Sequence, residues 1–113
     1  MHFFRTIFLE EVDRFLASLD IKTVKKVIYN IDLAEHTNDP KLFKKLLDNI
    51  WEFRIKYAGL KIRLLAFWDK TDGKETLVVA THGFMKKTDK VPKNEIERAM
   101  RIRTSYFENK LKK

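Results

Sequence analysis

The sequence predicts an α+β domain: two N-terminal helices packed on a small antiparallel β-sheet meander, followed by a C-terminal helix. Apolar residues recur at a helical period in the first third of the chain, at a period of 2 in the middle, and at a helical period again after Pro92. Helices and strands segregated along the chain, without alternating βαβ units, belong to the α+β class.

Phe8, Val12, Phe15 and Leu19 form one stripe, with Glu10, Glu11, Asp13 and Arg14 off it, which predicts an amphipathic helix over residues 7–19. His2 to Phe4 is expected as a short edge strand. Asp20 can cap a second helix by accepting from its free N–H groups, and Val24, Val27, Ile28 and Ile31 then share a face. The two helices are expected to form a hairpin, closed by the turn residues "HTNDP" at 36–40. After "KLFKKLLDN" the period changes. Trp51, Phe53, Ile55 and Tyr57 alternate with Glu52, Arg54 and Lys56, and Ile62, Leu64, Ala66 and Trp68 are set against Lys61 and Arg63. These are two paired strands with Gly59 in the turn. "KTDGKE", with its Asp72-Gly73 turn signal, leads to a third strand in "TLVVATHGF". Pro92 suits the first turn of a helix, where no N–H is needed. Ile96, Ala99, Met100, Tyr106 or Phe107, and Leu111 give that helix an apolar stripe.

The totals narrow the function. At 113 residues the chain is expected to be one domain, residues 1–113. It has no cysteine, which excludes disulfides and thiolate chemistry and points to a reducing, cytoplasmic setting. No apolar h-region follows Met1, and the uncharged run 77–85 is far too short to span a bilayer, so a soluble protein is expected. The net charge of +8 lies in one half: residues 1–50 carry eight basic and eight acidic side chains, residues 51–113 sixteen and eight. A one-sided basic field suits a polyanion partner, although it also fits a generic basic surface.

Strand parity sorts the candidate chemistry. If Phe53 and Leu64 point into the core, Arg54 and Arg63 point out of the other face. There they either hold phosphate through their planar, bidentate guanidinium groups or pair with Glu52 or Asp69. If the third strand continues, His82, Phe84 and Lys86 share one face and Lys87 takes the other. Histidine moves protons near neutral pH, lysine stabilises phosphorane charge, and an aromatic stacks on a base. The plainer readings are a structural histidine, a core phenylalanine and solvated lysines. Three scattered histidines show no metal-ligand spacing, and neither a Gly-rich phosphate loop nor a serine elbow is present, so neither metal nor cofactor is expected. The reaction most compatible with Arg, Lys and His is RNA cleavage by its own 2′-hydroxyl.

"IWEFRIKYAG", "KIRLLAFWDK" and "THGFMKKTDKVPKNEIERA" resemble, as a run over residues 42–106, the RelE/ParE toxin superfamily and its HigB-type, phage-derived branch. The resemblance implies a ribosome-dependent mRNA endonuclease of a toxin–antitoxin pair, inhibited by a cognate antitoxin that is usually a helix-turn-helix protein. It assigns Arg63 and Lys86 to the scissile phosphate, Arg54 to the RNA backbone, and His82 to a possible acid or base. Lys87, Lys90, Phe84 and Tyr106 complete the implied RNA contacts. Ile62 and Ala66 stand where the family pattern has aromatic residues, the loop at 70–76 is longer than the pattern, and the first strand is expected to be a stub or missing. The same fold also allows a non-enzymatic toxin that poisons a protein such as DNA gyrase, or a basic RNA-binding module without activity.

Overall fold

A computed structural model gives the structure of residues 2–71, 73 and 76–112. Its elements are β1 (Arg5–Phe8), α1 (Glu10–Ala17), α2 (Ile21–Thr37), β2 (Phe43–Leu47), β3 (Ile50–Tyr57), β4 (Leu60–Asp69), β5 (Leu77–Met85) and α3 (Lys93–Leu111). They form an α+β fold around a five-stranded sheet of order β1-β5-β4-β3-β2. Strands β2 to β5 make the expected antiparallel meander, but β1 pairs with β5 in parallel, so the sheet as a whole is mixed. No helix among the described residues is long and apolar enough to cross a membrane.

Two strands lie outside the predicted pattern. The first is present as a short strand of four residues, three residues beyond the predicted edge strand at 2–4, and takes Ile7 and Phe8 from the predicted first helix. Strand geometry wins there because β1 supplies partners to the N-terminal half of β5, which would otherwise be an open edge. Phe8 still packs with Phe15 and Leu19 against the core. The second is β2, whose "FKKLL" matches neither period and is held by its pairing with β3. The hairpin turns carry the left-handed conformation: Ala58 (φ 51°) and Gly59 (φ 79°) form the two-residue loop between β3 and β4. Of the predicted turn at Asp72-Gly73, Gly73 has φ 68° and Asp72 lies outside the described residues.

The helices divide between the two sheet faces. α1 packs chiefly on β5 and α2 on β3. Val12, Leu16, Val27 and Ile31 meet Phe53, Ile55, Ile62, Leu64 and Ala66 in the larger core. Asp20 caps α2 as predicted, its carboxylate accepting from Thr23 N at 2.8 Å. α3, which Pro92 precedes as N-cap, lies on the opposite face. There Ala99 and Ile96 pack with Ile50, Leu65 and Phe84, and Phe67 meets the rings of Tyr106 and Phe107. The outer face of the meander is therefore covered over most of its length and left open only at one end.

Gly83 sets how closely α1 approaches β5. A Cβ there would lie 2.3 Å from Phe15 Cδ2 and 2.6 Å from Leu64 Cδ2. Gly83→Ala is expected to cost about 1–3 kcal/mol through overpacking, read as a lower urea midpoint with an unchanged m-value.

Candidate nucleic-acid interface

The open end of the outer face is a cleft of about 380 Å³ lined by Lys41, Arg54, Ile55, Lys56, Lys61, Arg63 and Lys86. Every lining side chain but Ile55 is cationic. The register explains the crowding: Arg54 lies opposite Arg63 and Lys56 opposite Lys61 on neighbouring strands, and Lys86 N donates to Lys61 O at 2.7 Å as β5 ends. Like charges directly opposite repel, so this concentration needs a countercharge.

Glu52 supplies it. Its Oε1 lies 2.9 Å from Arg63 Nε, and both side chains are almost wholly buried, 5% and 6% exposed. The contact is an ion pair without linear hydrogen-bond geometry. Arg63 Nη1 also donates to Ile62 O at 3.1 Å. Arg63 is therefore a buried, neutralised arginine at the cleft floor rather than one of two exposed guanidinium groups, whereas Arg54 is half-exposed. Burial and the neighbouring Arg54 push the Arg63 pKa down, against the pull of Glu52. Desolvation, followed by Arg63, also lowers the Lys86 pKa from its ordinary value, with Glu52 opposing.

A bulge brings Lys86 here. Leu65 pairs with His82 but Ala66 pairs with Ala80, leaving Thr81 as an extra residue in β5. Val78 and Ala80 face the α1/α2 core, yet after the bulge His82, Phe84 and Lys86 lie on the outer face with Arg63. The three do not share one site. His82 is 1% exposed, with Nε2 3.0 Å from Glu95 Oε1 on α3 and Nδ1 3.0 Å from Thr81 Oγ1. Burial lowers its pKa, with Glu95 opposing. It ties β5 to α3 and lies outside the cleft lining. Phe84 is half-buried, packs under α3 and stacks at 6.1 Å on His82.

The remaining predicted contacts separate further. Lys87 and Lys90 are exposed on the segment leading to α3 and do not line the cleft. Tyr106 lies at the other end of the sheet, donating to Asp69 Oδ2 at 2.7 Å; Asp69 stands six residues along β4 from Arg63, about 20 Å away. Ile62 and Ala66, which depart from the family pattern, are buried on the α1/α2 face and so leave the cleft untouched. Lys41, Lys56 and Lys61 were not singled out from the sequence; parity alone places Lys56 and Lys61 beside the arginines, whereas Lys41 comes from a loop and carries no such signal.

Asp69 is a polar anchor of α3. Burial opposes its ionisation, but hydrogen bonds from Lys110 (2.6 Å), Tyr106 (2.7 Å) and Thr71 outweigh it and hold its carboxyl well below the usual range. A lowered folded pKa stabilises the protein above the unfolded value near 4 and loses that contribution as pH falls below it. Asp69→Asn is expected to cost about 1–3 kcal/mol at pH 7 and to flatten the loss of stability between pH 5 and 3, as checked by denaturant titrations at each pH.

Chemically, the cleft can hold a chain of phosphates and stabilise added negative charge on one of them. Residues 14–104 match the family of phage-derived Gp49-like proteins (DUF891). Among solved structures, the chain is similar to the crystal structure of the archaeal RelE–RelB complex from Pyrococcus horikoshii OT3, at 11% identity over 73% of this chain and 93% of that one, with a TM-score of 0.49. No curated protein matches it. With its family match covering most of the sheet and all three helices in part or whole, the chain belongs to the phage-derived Gp49-like family.

Proposed function

We propose that this protein is the toxin of a toxin–antitoxin pair and cleaves mRNA on the ribosome, with the basic cleft as its active site. The observation that carries this reading is the cleft itself: six cationic side chains around one opening, with a buried carboxylate beneath them. RNA cleavage of this kind needs no residue to become covalently attached. The 2′-oxygen attacks the adjacent phosphorus, the bond to the 5′-oxygen breaks, and a cyclic phosphate and a 5′-hydroxyl result; one proton leaves the 2′-oxygen and one reaches the 5′-oxygen. Arg54 would neutralise the phosphorane, Arg63 would support it from the cleft floor, and Lys86, whose ammonium releases its proton more readily than an ordinary lysine, would protonate the leaving oxygen. Glu52 would hold Arg63 in place. A cognate antitoxin of the helix-turn-helix type would neutralise the toxin in the cytoplasm.

The test is purified protein acting on translating ribosomes, with transcript ends mapped. Codon-positioned cuts bearing 5′-hydroxyl ends are expected. Intact message together with inhibited DNA supercoiling would replace this reading with a protein-poisoning toxin, and salt-dependent RNA binding without cuts would reduce it to a binding module.

A further inference from the structure

The segment before β1 and the last turn of α2 bring together three metal-ligating side chains that sequence spacing does not connect. His2, Glu35 and His36 each offer one ligand atom, and these atoms lie within 4.8 Å of one another. The two imidazole rings are tilted at a centroid distance of 4.3 Å. The backbone holds this arrangement: Phe3 N donates to Glu35 O at 2.6 Å, pinning the segment against the helix end. His36 is oriented as well. Its Nδ1 is 2.7 Å from the main-chain oxygen of Asp32, so an Nδ1–H donating there leaves the Nε2 lone pair free, the arrangement that fixes the tautomer of metal-bound histidines. The side-chain carboxylate of Asp32 stands 3.9 Å from the same nitrogen. Glu35 and His36 also lie in the last turn of α2, where the helix carbonyls favour a cation.

We propose that His2, Glu35 and His36 form a site for a divalent transition ion of the zinc class, which clamps the N-terminal segment to the end of α2. Two imidazole nitrogens and one carboxylate oxygen suit Zn²⁺, whereas Mg²⁺ and Ca²⁺ take oxygen ligands. Zinc–ligand distances of about 2.0–2.2 Å require the three atoms to draw closer by roughly 1 Å, a movement open to half-exposed and exposed side chains, and water completes the coordination. The site stands apart from RNA cleavage. β1 begins beside Leu77, while the cleft lies at the other end of β5 beside Lys86. An ion here acts on the docking of β1 and has no part in the chemistry of the cleft.

The experiment is zinc titration of untagged, chelator-stripped full-length protein by calorimetry and thermal melting, with Mg²⁺ as the control ion. One Zn²⁺ per chain is expected, with a melting temperature raised by about 5 °C at saturating excess and no response to Mg²⁺. His2→Gln and His36→Gln should each weaken binding by at least roughly 10- to 100-fold while leaving the metal-free melting temperature unchanged. Absence of saturable binding, or binding equally tight in both variants, would overturn the site. Neither readout depends on RNA cleavage, so the result stands independently of the proposed function.

Discussion

Arg63→Ala is expected to destabilise the protein by about 3–5 kcal/mol, a large share of the total stability of a small domain. From the sequence, Arg63 reads as one of two arginines on an exposed sheet face, where substitutions usually cost little. The structure reverses that expectation because Arg63 and Glu52 are buried together: truncating the arginine leaves a desolvated carboxylate without its countercharge. Replacing both partners removes the orphan. The double variant Glu52→Leu/Arg63→Met should recover most of the lost stability, since a buried ion pair and a well-packed apolar pair of similar volume are often close in free energy. Urea titrations of the two singles and the double close the cycle. A single variant within about 0.5 kcal/mol of the wild type would show that the pair is solvated in solution. One practical consequence is that a loss of the proposed cleavage activity in Arg63→Ala bears on catalysis only when the variant is shown to be folded.

Lys86→Ala is the cleaner probe of the proposed chemistry. Lys86 is half-exposed at the end of β5 and has no ion-pair partner among the described contacts, so its removal should leave stability within about 0.5 kcal/mol. If the cleft cleaves RNA as proposed, the cleavage rate should fall about 10²–10³-fold, the loss typical of removing one preorganised charge-stabilising donor. The pH dependence adds a second readout. With its pKa lowered by desolvation and by Arg63, the ammonium is lost at a lower pH than in an ordinary lysine, so the rate should decline on the alkaline side. Lys86→Arg keeps the charge and moves that limb to higher pH. A Lys86→Ala enzyme with full activity and an unchanged alkaline limb would remove Lys86 from the mechanism.

Much of the fold was legible because it rests on local periodicity. The N-cap at Asp20, the Gly59 turn, the alternation of β3 and β4 and the start of α3 after Pro92 each follow from a few neighbouring residues. β1 and β2 were not legible for the same reason. Four residues of "RTIF" and five of "FKKLL" carry too little pattern, and both are strands because a neighbouring strand offers them hydrogen bonds. The site divides along the same line. Parity put Arg54 and Arg63 on one face, but burial of Arg63 against Glu52 depends on how strands and loops pack around them. His82 and Tyr106 belong by sequence to the same C-terminal region as Lys86, yet α3 draws them onto Glu95 and Asp69 instead.

By itself, then, the sequence determined the α+β class, the concentration of positive charge after residue 50, and the outward side of β3 and β4, since each depends on composition or on a period read within one segment. The tertiary structure decided which of those charges meet. An unbroken β5 with Val78 and Ala80 in the core would turn Lys86 toward the α1/α2 side; the extra residue at Thr81 reverses its parity and delivers it to the cleft. A bulge is a mismatch between two strands, and a mismatch exists only once both are paired.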